Sequence, residues 1–173
     1  MCVDIWVGLL ILAGAAGAGL WLLFYWTARR RDLVRRPEEK QVGYGFKKAL
    51  LIYQPSNRGK NHAIAWALAR TLAKAGHTVT VNYPSPVLDY DPAEYDYLIF
   101  GGSVYMGELG RPLRDYLARL KFKGKRVLLF AIGDMEKAPE LASLRLCVPA
   151  GNTVRSIKVR PEEGKKLCQF ALG

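Results

Sequence analysis

The chain has 173 residues, half of them hydrophobic, and its 26 lysine and arginine residues outnumber its 15 acidic residues, giving a net charge of +11. This composition excludes a disordered polypeptide and indicates one folded domain with an additional segment. The three cysteines lie far apart without a CxxC pair, which excludes a disulfide framework and argues against a zinc site or an iron–sulfur cluster. The positive charge predicts an anionic partner such as a phosphate group, a membrane surface or a nucleic acid.

An uncharged stretch of 22 residues runs from Ile5 to Trp26. At about 1.5 Å per helical residue it covers about 33 Å, enough to cross a hydrocarbon core of ~30 Å. Amphipathic aromatic side chains stand near its two ends, namely Trp6, Trp21, Tyr25 and Trp26. Five arginines follow it closely, namely Arg29, Arg30, Arg31, Arg35 and Arg36. A cleaved signal peptide would carry its positive charge before a shorter apolar core. We therefore predict an uncleaved single-pass anchor in the cell membrane over residues 1–28, with the N-terminus outside and the C-terminal domain cytoplasmic.

Small residues from Ala13 to Gly19 would let a second membrane helix approach closely, but such residues are also common in membrane helices, so helix pairing stays open. Cys2 lies near the membrane, and nothing else in the sequence assigns it a modification. Residues 29–46 have neither apolar periodicity nor bulk and are predicted to form a basic linker.

The folded domain is predicted to occupy residues 47–173, in which short apolar runs alternate with helical patterns. Three continuous apolar runs are typical of central strands, at residues 49–53, 97–100 and 127–132. Two mixed runs are typical of half-exposed edge strands, at residues 78–83 and 154–159. These patterns predict a doubly wound α/β fold with a five-stranded parallel sheet in the order 2-1-3-4-5.

Three helices are predicted between and after the strands. Apolar side chains line one side of residues 61–75, and Gly76 is suited to end that helix. Pro112 begins the second helix, whose apolar residues recur at i, i+3, i+4 and i+7. The third helix follows Pro161, and Cys168 falls on its apolar face as a small core residue.

The opposite face of the first helix is predicted to be solvated although it is not very polar. It carries His62, Trp66, Ala69 and Ala73, with Arg70 beside them. Tryptophan and arginine are enriched at contact sites, so this face predicts contact with a partner protein or with the membrane.

Ligands of such a sheet bind beyond the carboxyl ends of strands one and three, where the connections diverge. The loop after strand one supplies hydroxyl, amide and basic side chains just before a helix, namely Ser56, Asn57, Arg58, Gly59, Lys60 and Asn61. Free backbone N–H groups at the start of that helix can bind a phosphate, although a polar turn is also a common helix cap. The loop is neither a Walker A motif nor a GxGxxG fingerprint.

The loop after strand three reads Gly101-Gly102-Ser103-Val104-Tyr105-Met106-Gly107-Glu108, and with it the arrangement from Lys48 to about Ile132 resembles the flavodoxin family. The resemblance implies that the chain binds flavin mononucleotide (FMN) and that the first loop holds its phosphate. It also implies that Ser103, Val104, Tyr105, Met106 and Gly107 lie along the flavin ring. The loop at Gly133 and Asp134 is implied to approach the ring, without an aromatic side chain of its own.

Two hypotheses for the function follow. In the first, the domain binds FMN and passes electrons between a membrane-bound donor or the quinone pool and a partner, as an electron carrier and not as an enzyme with its own substrate. In the second, the pocket is degenerate and the chain is a flavin-free accessory subunit of a membrane complex. The domain has 20 basic and 11 acidic residues, whereas soluble flavodoxins are typically acidic, which argues against a diffusing shuttle. Neither histidine lies beside an evident nucleophile, and the sequence contains no nucleic-acid-binding module.

Overall fold

The computed structural model describes residues 2–56, 59–135 and 137–173, and within them the side chains of residues 2–5, 27, 28, 30, 31 and 60 are not described. The chain divides into two compact units, Met1–Leu33 and Val34–Gly173.

The first unit is one long helix, α1 (Cys2–Arg31), which has 30 residues. Its apolar part, Trp6–Trp26, is long enough to cross a membrane, a property that signal sequences near an N-terminus share. Trp21 stacks on Tyr25 with 5.7 Å between ring centroids, and Arg29 donates a hydrogen bond of 3.4 Å from Nη1 to the Tyr25 hydroxyl. Aromatic rings and an arginine thus follow one another along one side of the helix where the apolar stretch ends.

The second unit is a doubly wound α/β domain, as the sequence predicts. Its strands are β1 (Lys40–Val42), β2 (Lys47–Gln54), β3 (His77–Asn82), β4 (Tyr97–Ser103), β5 (Arg126–Ile132) and β6 (Thr153–Val159). Its helices are α2 (Lys60–Lys74), α3 (Arg111–Arg119), α4 (Pro139–Leu146) and α5 (Gly164–Leu172), with a 3-10 turn at Pro92–Glu94. The sheet order is β1-β3-β2-β4-β5-β6, so the five parallel strands have the predicted order 2-1-3-4-5.

One strand was not expected. Lys40–Val42 lies inside the predicted linker, yet it pairs antiparallel with β3, with Lys40 opposite Val81 and Val42 opposite Val79. Glu38 extends this attachment, because its backbone N–H donates a hydrogen bond of 2.8 Å to Oδ1 of Asn82. The sheet therefore has six strands and not five, and β3 is an internal strand and not the edge strand that its mixed sequence predicts. A segment of three residues is too short to give a periodic signal in the sequence.

The core has one apolar layer on each face of the sheet. Helices α2 and α5 cover one face, where Leu68, Leu72 and Leu167 are fully buried. Helices α3 and α4 cover the other face with Leu113, Leu117 and Leu144. The strand runs predicted as central are buried on both sides, as in other parallel sheets. Helix α4 is absent from the sequence-based assignment, because its eight residues are too few for a clear amphipathic pattern.

A buried tyrosine on α3 supports a first prediction. The Tyr116 hydroxyl is buried, has no hydrogen-bond partner among the described residues, and has a pKa raised above the ordinary value mainly by burial. Because the unfolded chain releases the tyrosine proton near pH 10 and the folded chain only at higher pH, deprotonation favours unfolding, and the domain loses stability as the pH rises above about 10. Tyr116→Phe should therefore cost nothing at neutral pH, or stabilise by about 1 kcal/mol, and should make the domain more resistant to alkali.

Urea unfolding of the full chain in detergent, at pH 7.5 and again above pH 10, measures both effects. Tyr90→Phe is the matched control, since the Tyr90 hydroxyl donates to Oε2 of Glu39 at 2.6 Å and accepts from Asn82 at 2.8 Å. That variant should lose stability at neutral pH. A Tyr116→Phe variant that is clearly less stable at pH 7.5 would contradict the account of an unpaired hydroxyl.

Candidate functional site

Three loops follow the carboxyl ends of adjacent parallel strands and form the candidate site. The first loop (residues 55–59) follows β2, the second loop (residues 104–110) follows β4, and the third loop (residues 133–138) follows β5. Connections from β2 and β4 leave on opposite faces of the sheet, and the crevice between them is where doubly wound folds bind ligands. The topology thus brings the three predicted loops to one edge.

The first loop ends at the start of the 15-residue helix α2. Gly59 has a φ of +72°, and a Cβ added there would meet no heavy atom within 4 Å, so the backbone turns into the helix beside open space. Gly59 is the N-cap residue, and no side chain of the described residues caps the helix. The Ser56 hydroxyl is buried and has no hydrogen-bond partner among the described residues. Asn57, Arg58 and the Lys60 side chain lie outside the described part of the chain. An uncapped helix start beside an orphaned hydroxyl is suited to an anion.

The first and second loops are joined by a side-chain hydrogen bond. Asn61, which is 3% exposed in the first turn of α2, donates from Nδ2 to the Ser103 hydroxyl at the end of β4. Next to it, the Tyr53 hydroxyl and Nδ1 of the exposed His62 lie 2.7 Å apart. Two residues predicted from the sequence as separate contributors, Asn61 and Ser103, therefore act together and fix the distance between the two loops.

The second loop contains a tight turn from Tyr105 to Glu108. The Tyr105 N–H donates to the Glu108 carbonyl at 2.8 Å, and the Glu108 N–H donates back at 3.1 Å. Both central residues have positive φ, +51° at Met106 and +77° at Gly107, which is the pattern of a type I′ turn. A positive φ strains the backbone of Met106, which has a Cβ, but not that of Gly107. The Met106 side chain is exposed and Tyr105 is half-buried.

The third loop contacts the second directly. The Val104 N–H in the second loop donates to the carbonyl of Ile132, the last residue of β5 before the third loop, at 2.9 Å. The Gly133 N–H joins the third loop to the end of β6, where it donates to the Val159 carbonyl at 3.0 Å. A Cβ on Gly133 would lie 3.2 Å from Cβ of Val104, so glycine permits this close approach. Asp134 and Met135 are exposed, and Glu136 lies outside the described residues. All the described site residues predicted from the sequence thus stand at this edge, and their binding of a flavin stays a prediction.

A buried ion pair lies next to the third loop and was not predicted from the sequence. Nζ of Lys158, near the end of β6, lies 2.7 Å from Oε1 of Glu140 in α4, and the side chains are only 9% and 1% exposed. The same ammonium group donates to the Lys137 carbonyl at 2.6 Å and so supports the third loop. The only feature of the sequence that could have indicated this pair is the lysine within residues 154–159, which were predicted to form a half-exposed edge strand.

A cleft of about 320 Å³ opens beside this pair, between the third loop and the start of α5. Its charged lining residues are Asp134, Lys158, Arg160, Glu163 and Lys166. The Arg160 N–H donates to Oε2 of Glu163 at 2.9 Å, and this hydrogen bond, with the nearby Lys166 charge, lowers the pKa of Glu163. Lys158 is paired with Glu140, and Nζ of Lys166 lies 3.7 Å from Oε1 of Glu163, so most of the basic charge that lines the cleft is already balanced.

The predicted contact face of α2 is covered in part by the chain itself, and its His62 and Arg70 side chains are exposed. Ala69 is fully buried, and Nζ of Lys40, in β1, lies 5.8 Å from the centroid of the half-buried Trp66 ring. Ala73 faces Gly43, at which an added Cβ would come within 2.6 Å of Cβ of Ala73. Contact of this face with a partner protein or with the membrane stays a prediction, while the residues that cover part of it belong to the same chain. The sequence could not identify them because they lie in an apparently structureless linker.

Other chemistry is sparse in the described part of the chain. It contains no cluster of three or more histidine, cysteine or acidic side chains that could hold a metal ion. His77 is half-buried, with Nδ1 3.2 Å from the Leu72 carbonyl oxygen. Cys147 and Cys168 are free and half-buried, and Cys168 packs against the core as predicted.

Comparisons with known proteins identify relatives of the second unit. A family model described as a flavodoxin domain matches residues 50–158. A flavodoxin of Streptococcus pneumoniae TIGR4 is 24% identical, with a TM-score of 0.56 over 72% of this chain and 95% of that chain. A short-chain flavodoxin associated with a PDU bacterial microcompartment is 20% identical, with a TM-score of 0.61 over 73% and 95%. A flavoprotein of Lactobacillus acidophilus NCFM, solved in complex with FMN, is 14% identical, with a TM-score of 0.53 over 71% and 99%. A search of curated proteins found no match.

Proposed function

Because this chain belongs to the flavodoxin domain family, we propose that it is a membrane-anchored electron carrier that binds FMN at the three loops described above. The observation that carries the proposal is the convergence of an uncapped helix start, a buried unpaired Ser56 hydroxyl and a turn with positive φ at one crevice. The FMN complex among structures of the same fold supports the choice of flavin.

The phosphate of FMN would bind at the first loop. The backbone N–H groups at the start of α2 and the Ser56 hydroxyl would donate hydrogen bonds to it, and Gly59 leaves room because no side chain projects there. Asn57, Arg58, Lys60 and Asn61 complete the proposed set, with Asn61 holding Ser103 in position. The unpaired hydroxyl gains a partner in this arrangement, which removes the cost of a buried polar group without a hydrogen bond.

The flavin ring would lie between the second and third loops. Tyr105 and Met106 would flank it on one side and Gly133 and Asp134 on the other, with the close approach of Gly133 to Val104 supporting both loops. The bound flavin would accept and release electrons, while the protein sets its position and exposure. Gly107 leaves the turn free to present either side of its peptide group, since glycine tolerates both backbone conformations.

The N-terminal helix would hold this carrier at the membrane. The apolar part Trp6–Trp26 would span the bilayer, and the arginines after it would keep the second unit on the cytoplasmic side. A carrier fixed in this way would exchange electrons with a membrane-associated partner and would not diffuse through the cytoplasm. Labelling of Cys2 from outside intact cells by an impermeant thiol reagent would support this orientation.

A second prediction tests the phosphate site. Gly59→Asp should weaken FMN binding about 30- to 1000-fold, because a carboxylate near the phosphate repels it by about 2–4 kcal/mol. Gly59→Asn is the matched control, since asparagine tolerates positive φ about as well as aspartate and adds no charge. Flavin fluorescence quenching during titration of the purified full chain in detergent measures both affinities.

Equal losses in the two variants would mean that charge at this position does not matter, which contradicts a phosphate there. If the wild-type protein is colourless and takes up no added FMN, the electron-carrier proposal fails. The chain would then be an accessory subunit that keeps the fold without the cofactor.

A further inference from the structure

Two aromatic side chains at the start of the domain are unusually exposed. Tyr44 is 105% and Phe46 106% exposed, and both lie in the loop of residues 43–46 between β1 and β2, which we call the aromatic loop. Single exposed aromatic residues are common, but a pair at alternate positions with no intramolecular cover is typical of an interaction surface.

The aromatic loop is held rigidly against the turn between α2 and β3. A Cβ on Gly45 would overlap the carbonyl oxygen of Gly76, and one on Gly43 would lie 2.5 Å from the carbonyl oxygen of His77. The Thr78 hydroxyl donates to the Gly45 carbonyl at 2.8 Å. The close backbone packing fixes the loop, so the exposure of Tyr44 and Phe46 is a property of the fold and not of a loose segment.

Basic side chains surround the aromatic loop. Lys47, Lys48 and Lys74 are exposed around it, whereas the nearby acidic groups are Glu94, 3.9 Å from Nζ of Lys48, and Asp96, which accepts a hydrogen bond from the Lys48 N–H. The domain has 20 basic and 11 acidic residues, so two copies of it repel each other. An anionic surface is therefore favoured over a second copy of this chain.

We infer that Tyr44 and Phe46 dock the domain onto the anionic surface of the bilayer, an inference that rests on the membrane anchor proposed above. Tyrosine and phenylalanine rings insert at the headgroup level, and lysines beside them attract acidic lipids. Only twelve residues separate Arg31, the end of α1, from Tyr44. Because an extended chain covers at most about 3.4 Å per residue, the aromatic loop stays within about 40 Å of the membrane surface.

This docking determines the direction in which the flavin crevice faces. The aromatic loop lies at the amino ends of the parallel strands, since Val42 pairs with Val79 near the start of β3. The three loops of the crevice lie at the opposite ends, one strand length away, which is about 25 Å for β2. A domain that touches the bilayer with its aromatic loop presents the crevice to the cytoplasm. Its redox partner is then a protein that approaches from the aqueous side and not a quinone within the lipid.

Photo-crosslinking in native membranes tests this inference with the full chain. Tyr44 or Phe46 is replaced by p-benzoylphenylalanine, the cells are irradiated, and the mass of each adduct is determined. We expect phospholipid adducts at both positions. Val87 provides the matched control, because it is 76% exposed but follows the carboxyl end of β3. The same replacement at Val87 should give few lipid adducts.

Charge reversal provides a second measurement. Lys47→Glu combined with Lys74→Glu should lower the lipid adduct yield at position 46 at least about fivefold. Lys165→Glu, at the other edge of the sheet, should leave the yield unchanged. Adducts with a polypeptide, equal lipid yields at Val87, or no adducts from a membrane-bound chain would each overturn the docking while leaving the anchor intact. A chain absent from the membrane fraction would refute the anchor and the docking together, and FMN binding would remain measurable in either case.

Discussion

Lys158→Met should lower the free energy of unfolding of the domain by about 3–5 kcal/mol, the usual cost of removing one partner from a buried ion pair. The substitution leaves the Glu140 carboxylate, which is 1% exposed, without the ammonium group 2.7 Å away. Oε2 of Glu140 has no hydrogen-bond partner in the described part of the chain, so nothing there replaces the interaction that Oε1 loses. The Lys137 carbonyl also loses its donor, and the third loop should become more mobile.

Chemical denaturation of the full chain in detergent measures this loss. The double variant Glu140→Leu/Lys158→Met should recover part of it, because an apolar pair of similar volume removes the uncompensated charge. Lys166→Met is the surface control, since Lys166 and Glu163 are 3.7 Å apart and exposed, and such pairs contribute at most about 1 kcal/mol. A double variant as unstable as the single one would show that packing, and not charge, is the source of the effect.

Gly101→Ala should destabilise the domain by about 3 kcal/mol or more, at or above the upper end for overpacked cores. Gly101 pairs with Phe130 across β4 and β5. An added Cβ would overlap both the ring and the carbonyl oxygen of Phe130, and a carbonyl in the middle of a sheet cannot move without breaking ladder hydrogen bonds.

Thermal unfolding of the variant and of a combined Gly101→Ala/Phe130→Leu variant separates the two overlaps. The smaller leucine side chain should relieve the ring overlap only, so recovery should be partial. Gly164→Ala is the control, because its Cβ would approach Cγ1 of Ile64 only to 3.3 Å, a contact that a shift of a few tenths of an ångström relieves. An unfolding temperature unchanged by Gly101→Ala would contradict the close packing between these strands.

The parallel core and its strand order could be predicted because they depend on patterns that extend over whole elements. The apolar runs at residues 49–53, 97–100 and 127–132 are long enough to indicate strands buried on both faces. The order 2-1-3-4-5 then follows from placing the two mixed runs outside, and the structure confirms it for the five parallel strands. The three site loops follow from the same topology, since the carboxyl ends of neighbouring parallel strands share an edge.

The details that were missed depend on contacts between distant residues. Lys158 lies in a run predicted as a half-exposed edge strand, and its side chain is buried because Glu140 of α4 and the Lys137 carbonyl of the third loop contact it. Trp66 was predicted to lie on a solvated face, but it is half-buried, and Nζ of Lys40 lies 5.8 Å from its ring centroid in a segment that has no periodicity of its own. Gly101, assigned to a loop from its sequence, lies inside β4, where the absence of a side chain admits Phe130. No local pattern encodes these contacts, because each needs both partners in place.

The short strand β1 also protects the domain from aggregation. Without it, β3 would be the outermost strand and would offer the unpaired backbone groups of Val79, Thr80 and Val81 to another molecule, as a template for intermolecular β-pairing. A strand of three residues with the exposed Lys40 and Gln41 is a poor template in its place. Soluble versions of this domain should therefore begin no later than Glu38, because a start at Lys47 would remove the covering strand and leave a sheet that assembles into oligomers.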